Sequence, residues 1–543
     1  MEKWQQLWKV PGYRWPVLFF AAYFVFGLAL YGDYGMSWDE ALQRQHGFVS
    51  AEYVNQQFHL TDKQYDWRQL HEYMYRYHGV WFTLPMAWLE EAWDLTSFRQ
   101  QFRMRHLAVF LLYWGAGIVF FRILLRRFAN WRWALLGAAF WVLSPRFFAH
   151  SFFNPKDLPF LSLFVISTWT LFRLWLRPGI GTALLHALAC GMLIGMRIIG
   201  VLMPVMTVFL FAADVLVGKS GTRPLWWKRI IGLGVFGPMA YWAIVVFWPF
   251  LWPDPQLQFL EAFEIMSQYG WGGKVLFQGQ FYAGPEIPWY YIPVWIGIST
   301  PLLYLLLSLT GTLSLLPRAW QHLRQGSIGI WAIAADRKDW ANVGLVLAPV
   351  LAIIVLESVV YDGWRHLFFV YPSLLYLAVL GTKVVWDWAS SRAWWRRGLL
   401  AGLSLQGGYL LIWMAVNHPH QNVFFNALAW GNQLGQYDLD YWGNSYKQGF
   451  EALAKLDGAP IIKVAYQSYP ATLNYEYLHP ELRARFELTE DPAQADYFLS
   501  DYRVWRSGLN QALNREGPYS GEEVHAIYAG ATKILGIYRL RKN

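Results

Sequence analysis

Cysteine is almost absent. The chain of 543 residues has one, Cys190. One thiol closes no internal disulfide, so any exported part must hold without one. Charge is scarce as well: charged residues are 15% of the chain, against about 25% in ordinary soluble domains. No Walker A loop, no dinucleotide fingerprint after a strand and no nucleophile elbow can be read, which disfavours nucleotide-linked donors. No zinc-finger spacing or nucleic-acid signature accompanies the net charge of +9. That charge reads instead as basic loops and lipid headgroups, with no nucleic acid as partner. No internal repeat appears, so inverted-repeat transporter folds gain no support. The opening stretch "MEKWQQLWKVPGYRWPVLFFAAYFVFGLALYG" has no small-residue cleavage site and reads as a retained first helix.

What is present is apolar and aromatic. Hydrophobic residues make up 56% and aromatics 19%, with 34 Trp, a residue that favours membrane–water interfaces. Apolar runs of spanning length, about 17–25 residues, recur near 15–32, 105–124, 131–148, 157–176, 181–196, 197–216, 229–250, 289–315, 341–360, 366–386 and 398–416. The expected fold is therefore an α-helical polytopic membrane protein with about 11 transmembrane helices. Every second loop is basic: Lys3, Lys9 and Arg14; Arg122, Arg126, Arg127 and Arg132; Arg173 and Arg177; Lys219, Arg223, Lys228 and Arg229; Arg318, Arg324, Arg337 and Lys338; Lys383, Arg392, Arg396 and Arg397. The positive-inside rule then puts the N-terminus in the cytoplasm and, with an odd number of spans, the C-terminus outside.

The opposite loops differ in kind. Residues 33–104 form a long first outer loop, with "LHEYMYRYHGVWFTLPMAWLEEAW" expected as an interfacial helix. The stretch "GWGGKVLFQGQFYAGP" reads as a mobile loop able to close over a substrate, or as plain surface. Hydropathy falls after about residue 417, so residues 1–417 are expected as the membrane domain and 418–543 as a small extracytoplasmic α/β domain. In the latter, "IIKVAY" and "ADYFLSDYRVW" read as strands, "TLNYEYLHPELRARFEL" as a helix between them and "EVHAIYAGATKILGIYRLR" as a strand pair.

On this topology the polar residues near membrane depth collect on one side. Asp39 and Glu40 follow the first span. "SPRFFAHSFFNPKDLPF" carries Arg146, His150, Asn154, Lys156 and Asp157. Arg197 interrupts a hydrophobic run, and Arg365 with His366 opens the tenth span. Ionisable groups at such depth are expensive and usually functional. Carboxylates at Asp39/Glu40 and Asp157 suit a general base and a positioner. Lys156, Arg197 and Arg365 suit a phosphate, by point charge and by planar donor fork. Together they fit a lipid-phosphate substrate whose phosphate departs.

Each group also has a structural reading. Asp39 and Glu40 serve equally as first-turn acids of a helix capped by Ser37. Asp157 has the same alternative, Lys156 is able to snorkel, Arg197 to form a salt bridge, and Arg365-His366 to anchor an interface. Convergence on one face favours function. No histidine pair has helical zinc spacing. A divalent cation held by Asp39 and Asp157, magnesium or manganese by its oxygen ligands, is left open.

At these residues the sequence resembles the GT-C membrane glycosyltransferases, closest to family 39 protein O-mannosyltransferases and to lipid A aminoarabinose transferases. The carriers are "WDE", "HSFFNPKDLPF", "YDGWRH", "HPHQNVFFNALAWG" and "LDYWGNSYKQG", in this order over nearly the whole chain. The resemblance implies a polyprenyl-phosphate sugar donor and inverting transfer to a hydroxyl of a lipid, glycan or protein outside the cytoplasm, here at a bacterial inner membrane. It maps the base onto Asp39, with Glu40 beside it, and the acid of the second outer loop onto Asp157. Lys156, Arg197, Arg365 and His366 then match carrier-phosphate contacts, with His78, His150 and Asn154 as weaker substrate contacts. "RYHGVWF" offers His78 without the prolines of the mannosyltransferase His-Pro-Pro element, and their β-trefoil insertion is absent. The competing classes are a transporter or flippase of a lipid-linked or anionic substrate, and a membrane scaffold.

Overall fold

The computed structural model describes residues 14–60, 69–217, 226–267, 270–324, 334–429, 431–503 and 521–540. Lys3, Lys9, Lys219 and Arg223 of the basic loops lie outside these residues, as do positions 504–505 and 541 of predicted strands. Seven helices among the described residues are long and apolar enough to cross a membrane, and three shorter apolar helices accompany them. The chain is an α-helical polytopic membrane protein with a C-terminal sheet.

The order begins with α1 (Arg14–Leu30), α2 (Glu40–Phe58), α3 (Thr83–Ala92), α4 (Phe98–Phe128), α5 (Trp131–Val142), α6 (Pro145–Phe153) and α7 (Asp157–Leu176). It continues with α8 (Ile180–Ile194), α9 (Leu202–Val217), α10 (Trp226–Phe247), α11 (Pro255–Ser267), the hairpin β1 (Lys274–Phe277) and β2 (Gln280–Ala283), α12 (Tyr291–Ser299), α13 (Leu302–Leu313), α14 (Leu316–Arg324), α15 (Ala334–Val355), α16 (Tyr371–Trp388) and α17 (Ala393–Val416).

Two predicted spans are broken, each at a proline. The run 131–148 stops at Val142 and restarts with Pro145 as the first residue of α6. The run 289–315 stops at Ser299 and restarts after Pro301. Proline has no N–H to continue the ladder and disfavours helix in the residue before it. The predicted gap near Arg197 is real: α8 ends at Ile194 and a 3-10 turn covers Ile198–Val201. Small residues set the tightest crossing. Gly311 of α13 and Gly381 of α16 each face the other helix's backbone so closely that a Cβ at either would collide with it.

The stretch expected as an interfacial helix is helical only over α3. Residues 69–82 are turns, and Tyr73 and Tyr77 pack with Trp248 and Phe250 inside the protein. Gly79 explains the path: a side chain there would strike the Gly195 carbonyl, and Trp81 N–H donates to that same carbonyl at 2.9 Å. The loop expected to be mobile contains the β1–β2 hairpin, paired Lys274↔Ala283 to Phe277↔Gln280. Its two turn residues, Gln278 and Gly279, both have positive φ, as the tightest hairpins require.

After α17 the chain runs over the helical part, then forms α18 (Ser445–Leu456), β3 (Ile462–Tyr466), α19 (Pro470–Tyr477), α20 (Pro480–Arg483), β4 (Phe486–Thr489), β5 (Tyr497–Ser500), β6 (Gly521–Ala529) and β7 (Thr532–Leu540). The strand order is β4-β3-β5-β7-β6. β3 is parallel to β4 and β5, while β7 is antiparallel to β5 and β6. The helix expected over 472–488 ends early, because Phe486–Thr489 pairs with β3 from Ile462↔Phe486 onward. Tyr446, Phe450 and Leu453 of α18 close the sheet's core against Val464, Leu499 and Ile537.

Candidate active site

The first acidic pair splits. Ser37 N–H donates to Glu40 Oε1 at 2.6 Å, and Glu40 Oε2 lies 2.7 Å from His106 Nε2. Glu40 is 2% exposed, with both oxygens occupied. It caps the turn into α2 and points into the protein, away from the cations with which the sequence grouped it. Asp39 precedes it by one residue and turns the other way, so its carboxylate is 17% exposed.

The "NPKD" turn places the second acid. Asn154 Oδ1 accepts from Lys156 N–H at 3.2 Å and Asp157 N–H at 2.8 Å, which closes the turn leading into α7. The Asn154 amide then donates to Asp157 Oδ2 at 3.0 Å and to His150 Nδ1 at 3.1 Å. Asp157 is thereby fixed at a helix N-terminus, where the dipole favours negative charge. Its Oδ1 pairs with Arg197 from the α8–α9 break. Asn154 and His150 are fully buried; they hold Asp157 and do not face the open side.

Arg365 ties these parts together. Its Nη1 lies 3.2 Å from Asp39 Oδ2 and 3.6 Å from Asp157 Oδ2, and its Nε lies 3.5 Å from Asp362 Oδ2. The guanidinium sits 4.8 Å from the Tyr361 ring centre and 4.9 Å from that of Trp442, where ring faces attract a cation. Arg503, from the segment after β5, donates to Asp362 Oδ1 at 2.9 Å.

What is left open matters most. Asp157, Glu40 and Asp362 have both oxygens engaged. Asp39 Oδ1 has no hydrogen-bond partner among the described residues, and the Lys156 ammonium forms no ion pair there. Lys156 is half-buried. Burial pushes its amine down to about 8, neighbouring Arg197 and Arg365 add to that, and Asp39 and Asp157 oppose it. His78 is half-buried in the same field: burial and then Lys156, His46, Arg197 and Arg365 hold its imidazole well below the ordinary value. His366 lies in the field of Arg365, Arg197 and Lys156, with its ring 4.7 Å edge-on from Tyr361. Around the open side three cations (Lys156, Arg197 and Arg365) meet two carboxylates (Asp39 and Asp157), while Arg503 is paired with Asp362, so the site favours an anion.

Asp39 and Asp157 do not fit a magnesium or manganese ion. Arg365 Nη1 occupies the place between them that a bridging cation would need. No group of three His, Cys, Asp or Glu side chains suited to a metal occurs among the described residues.

Three residues of this site were not singled out in the sequence. Asp362 had a local signal, three positions before Arg365 in "YDGWRH". Arg503 had none, because its contact spans 141 positions. His46 sits on α2 beside Tyr73, 1% exposed with both ring nitrogens unpartnered, and burial pushes it down to about 3.

No protein-family model matches the chain, and no curated protein matches it. Among solved structures, it is similar to ArnT from Cupriavidus metallidurans in the apo state, with 14% identity and a TM-score of 0.47 over 96% of this chain and 97% of that one. The same protein bound to undecaprenyl phosphate gives 13% and 0.46, over 97% and 98%. The archaeal oligosaccharyltransferase AglB from Archaeoglobus fulgidus, in complex with an inhibitory peptide and a dolichol-phosphate, gives 12% and 0.45, over 90% and 69%. At this identity and these scores, residue roles rest on this chain's own geometry.

Proposed function

We propose that the chain is a glycosyltransferase that moves a sugar from a polyprenyl-phosphate carrier to an acceptor hydroxyl. The observation that carries this is the pairing of one open carboxylate oxygen, Asp39 Oδ1, with an open ammonium, Lys156, inside an otherwise closed ionic network. A base and an anion-binding group are what such a transfer needs.

In the proposed step the acceptor oxygen attacks the anomeric carbon from the face opposite the phosphate. The new carbon–oxygen bond forms as the carbon–phosphate-oxygen bond breaks, inverting the centre. The acceptor proton passes to Asp39 Oδ1. The electron pair leaves with the carrier phosphate, where Lys156 and the arginine network stabilise the added charge. Arg365, held by Asp157, Asp362 and two aromatic rings, fixes the other oxygen of Asp39. Glu40 takes no part in this step. Asp157 orients Arg197 and Arg365. In this reading the site faces the extracytoplasmic side, which the basic loops at the other helix ends support. The membrane is a bacterial inner membrane in this reading, and residues 1–417 and 418–543 are its helical and extracytoplasmic parts.

The test uses the full-length protein in lipid nanodiscs with a panel of polyprenyl-phosphate sugars and membrane extract as acceptor source. Free polyprenyl phosphate is followed by mass spectrometry. Release from at least one donor is expected. Silence with every donor, while the same lipids cross a bilayer holding the protein, contradicts the reading and indicates a transporter.

A further inference from the structure

The segment leading to Asp39 is held mainly from outside the helical part. Met36 N–H donates to Asn474 Oδ1 at 2.8 Å, and the Asn474 amide donates back to Met36 C=O at 3.0 Å. The same amide reaches Gly443 C=O at 3.0 Å and Pro470 C=O at 2.9 Å. Asn444 Nδ2 donates to Gly35 C=O at 2.8 Å, Lys447 Nζ to Asp33 C=O at 3.1 Å, and Trp38 N–H to Trp442 C=O at 3.1 Å. Gly35 permits this approach, since a Cβ there would collide with the Asn444 backbone and the Asn474 side chain. Met36 is fully buried and packs with Leu473 and Tyr477 of α19.

A second path reaches the carboxylate itself. Arg503 holds Asp362 at 2.9 Å, Asp362 faces Arg365 at 3.5 Å, and Arg365 donates to Asp39 Oδ2 at 3.2 Å. The Arg503 guanidinium also lies 5.0 Å from the ring centre of Trp38, the residue before Asp39. A detached binding module would leave the Asp39 loop to the helices around it. Here the sheet unit grips both the backbone and, through two intermediates, the carboxylate.

We propose that the C-terminal α/β unit is the positioning half of the active site, with Asn474 and Arg503 as positioning residues that fix Asp39. The proposal rests on the transferase reading for the step that Asp39 performs. A displacement of about 1 Å in a reacting group can cost on the order of 100-fold in rate, so loosening either grip lowers turnover and leaves carrier binding at Lys156 in place.

The experiment compares wild type, Asn474→Ala, Arg503→Gln and Arg503→Lys, all full-length in nanodiscs. It reads kcat and KM for a polyprenyl-phosphate sugar that wild type turns over, direct binding of polyprenyl phosphate, and amide hydrogen exchange at Met36 and Trp38. Asn474→Ala and Arg503→Gln are expected to lose about tenfold or more in kcat, with carrier binding within about twofold. Arg503→Lys recovers part of the loss, because it keeps a cation on Asp362. Asn474→Ala also speeds exchange at Met36. Wild-type kcat in both Asn474→Ala and Arg503→Gln overturns the proposal, as does equal loss of kcat and carrier binding. If wild type makes no product, the transferase reading fails by itself. Faster exchange at Met36 in Asn474→Ala then still supports the grip, and unchanged exchange overturns it. If Asn474→Ala does not fold, the half-buried Arg503 variants decide.

Discussion

Both ends of the helical bundle bury aspartate–arginine clusters, and they differ in one respect. At the far end, Asp339 accepts from Arg127 Nε at 2.7 Å, from Arg127 Nη2 at 2.6 Å and from the Tyr376 hydroxyl at 2.6 Å. Asp214 pairs with Arg229 at 2.8 Å and Arg337 at 3.5 Å, and takes the Trp175 N–H at 3.0 Å. Both carboxylates are 3% exposed or less. Arg127 lies about 33 Å along α4 from Arg105, beside the candidate site, at about 1.5 Å per residue. At the site end, Asp157 is closed in the same way, but Asp39 keeps one oxygen free and partly exposed. A free ammonium does not separate the two ends, because Lys338 near Asp339 has no ion pair among the described residues either. Exposure does: Asp214 Oδ1 also lacks a hydrogen bond, but it is buried with Arg337 at 3.5 Å, whereas the Asp39 carboxylate is 17% exposed. Buried pairs at membrane depth hold helices together, and an exposed carboxylate is available for proton transfer.

That contrast can be broken by substitution. The largest effect is expected for Asp39→Asn, which loses about 10²- to 10⁴-fold in kcat while carrier binding and thermal unfolding stay near wild type, as turnover and unfolding scans would show. Next is Asp339→Asn. It leaves Arg127 without its charge partner, and a broken buried pair costs about 3–5 kcal/mol. Unfolding scans should show that loss, and the surviving folded protein should turn over normally. Lys156→Gln comes third, with carrier affinity down about tenfold, as lost hydrogen bonds between charged groups imply. Because the Lys156 amine sits at about 8, it is a cation below that pH and neutral above it. Binding of polyprenyl phosphate therefore weakens as pH rises through about 8, and Lys156→Arg, whose guanidinium stays charged, removes that decline. The smallest effect is expected for Glu40→Gln, about 1 kcal/mol of stability with turnover almost unchanged. A large catalytic loss in Glu40→Gln would erase the distinction between the two neighbouring acids.

Much of this was legible from residue types and hydropathy. Apolar runs marked the helices because a bilayer admits few other spanning structures. Arg197 marked a real break because a cation inside a long apolar run is costly there. Asp157 was legible as an acid at the start of its helix, but the Asn154 turn that fixes it was not. Other features were hidden. The breaks at Pro145 and Pro301 depended on proline geometry inside runs that hydropathy read as continuous. Phe486–Thr489 has its strand state set by pairing with β3, which local propensity does not encode. The separation of Asp39 from Glu40 depends on His106, on another helix. Arg503 and Asn474 act on residues 141 and 438 positions away, and a hydrogen bond at that distance leaves no periodic trace.

The most direct measurement sets Asp39→Asn beside Asp339→Asn in one assay. Each full-length variant, in nanodiscs with the donor that wild type uses, is followed for release of free polyprenyl phosphate per folded molecule, with carrier binding measured in parallel. The predicted result is that Asp39→Asn binds carrier and releases almost nothing, while Asp339→Asn is thermally weaker and turns over at the wild-type rate. Wild-type release by Asp39→Asn would contradict the assignment of the open carboxylate as the base.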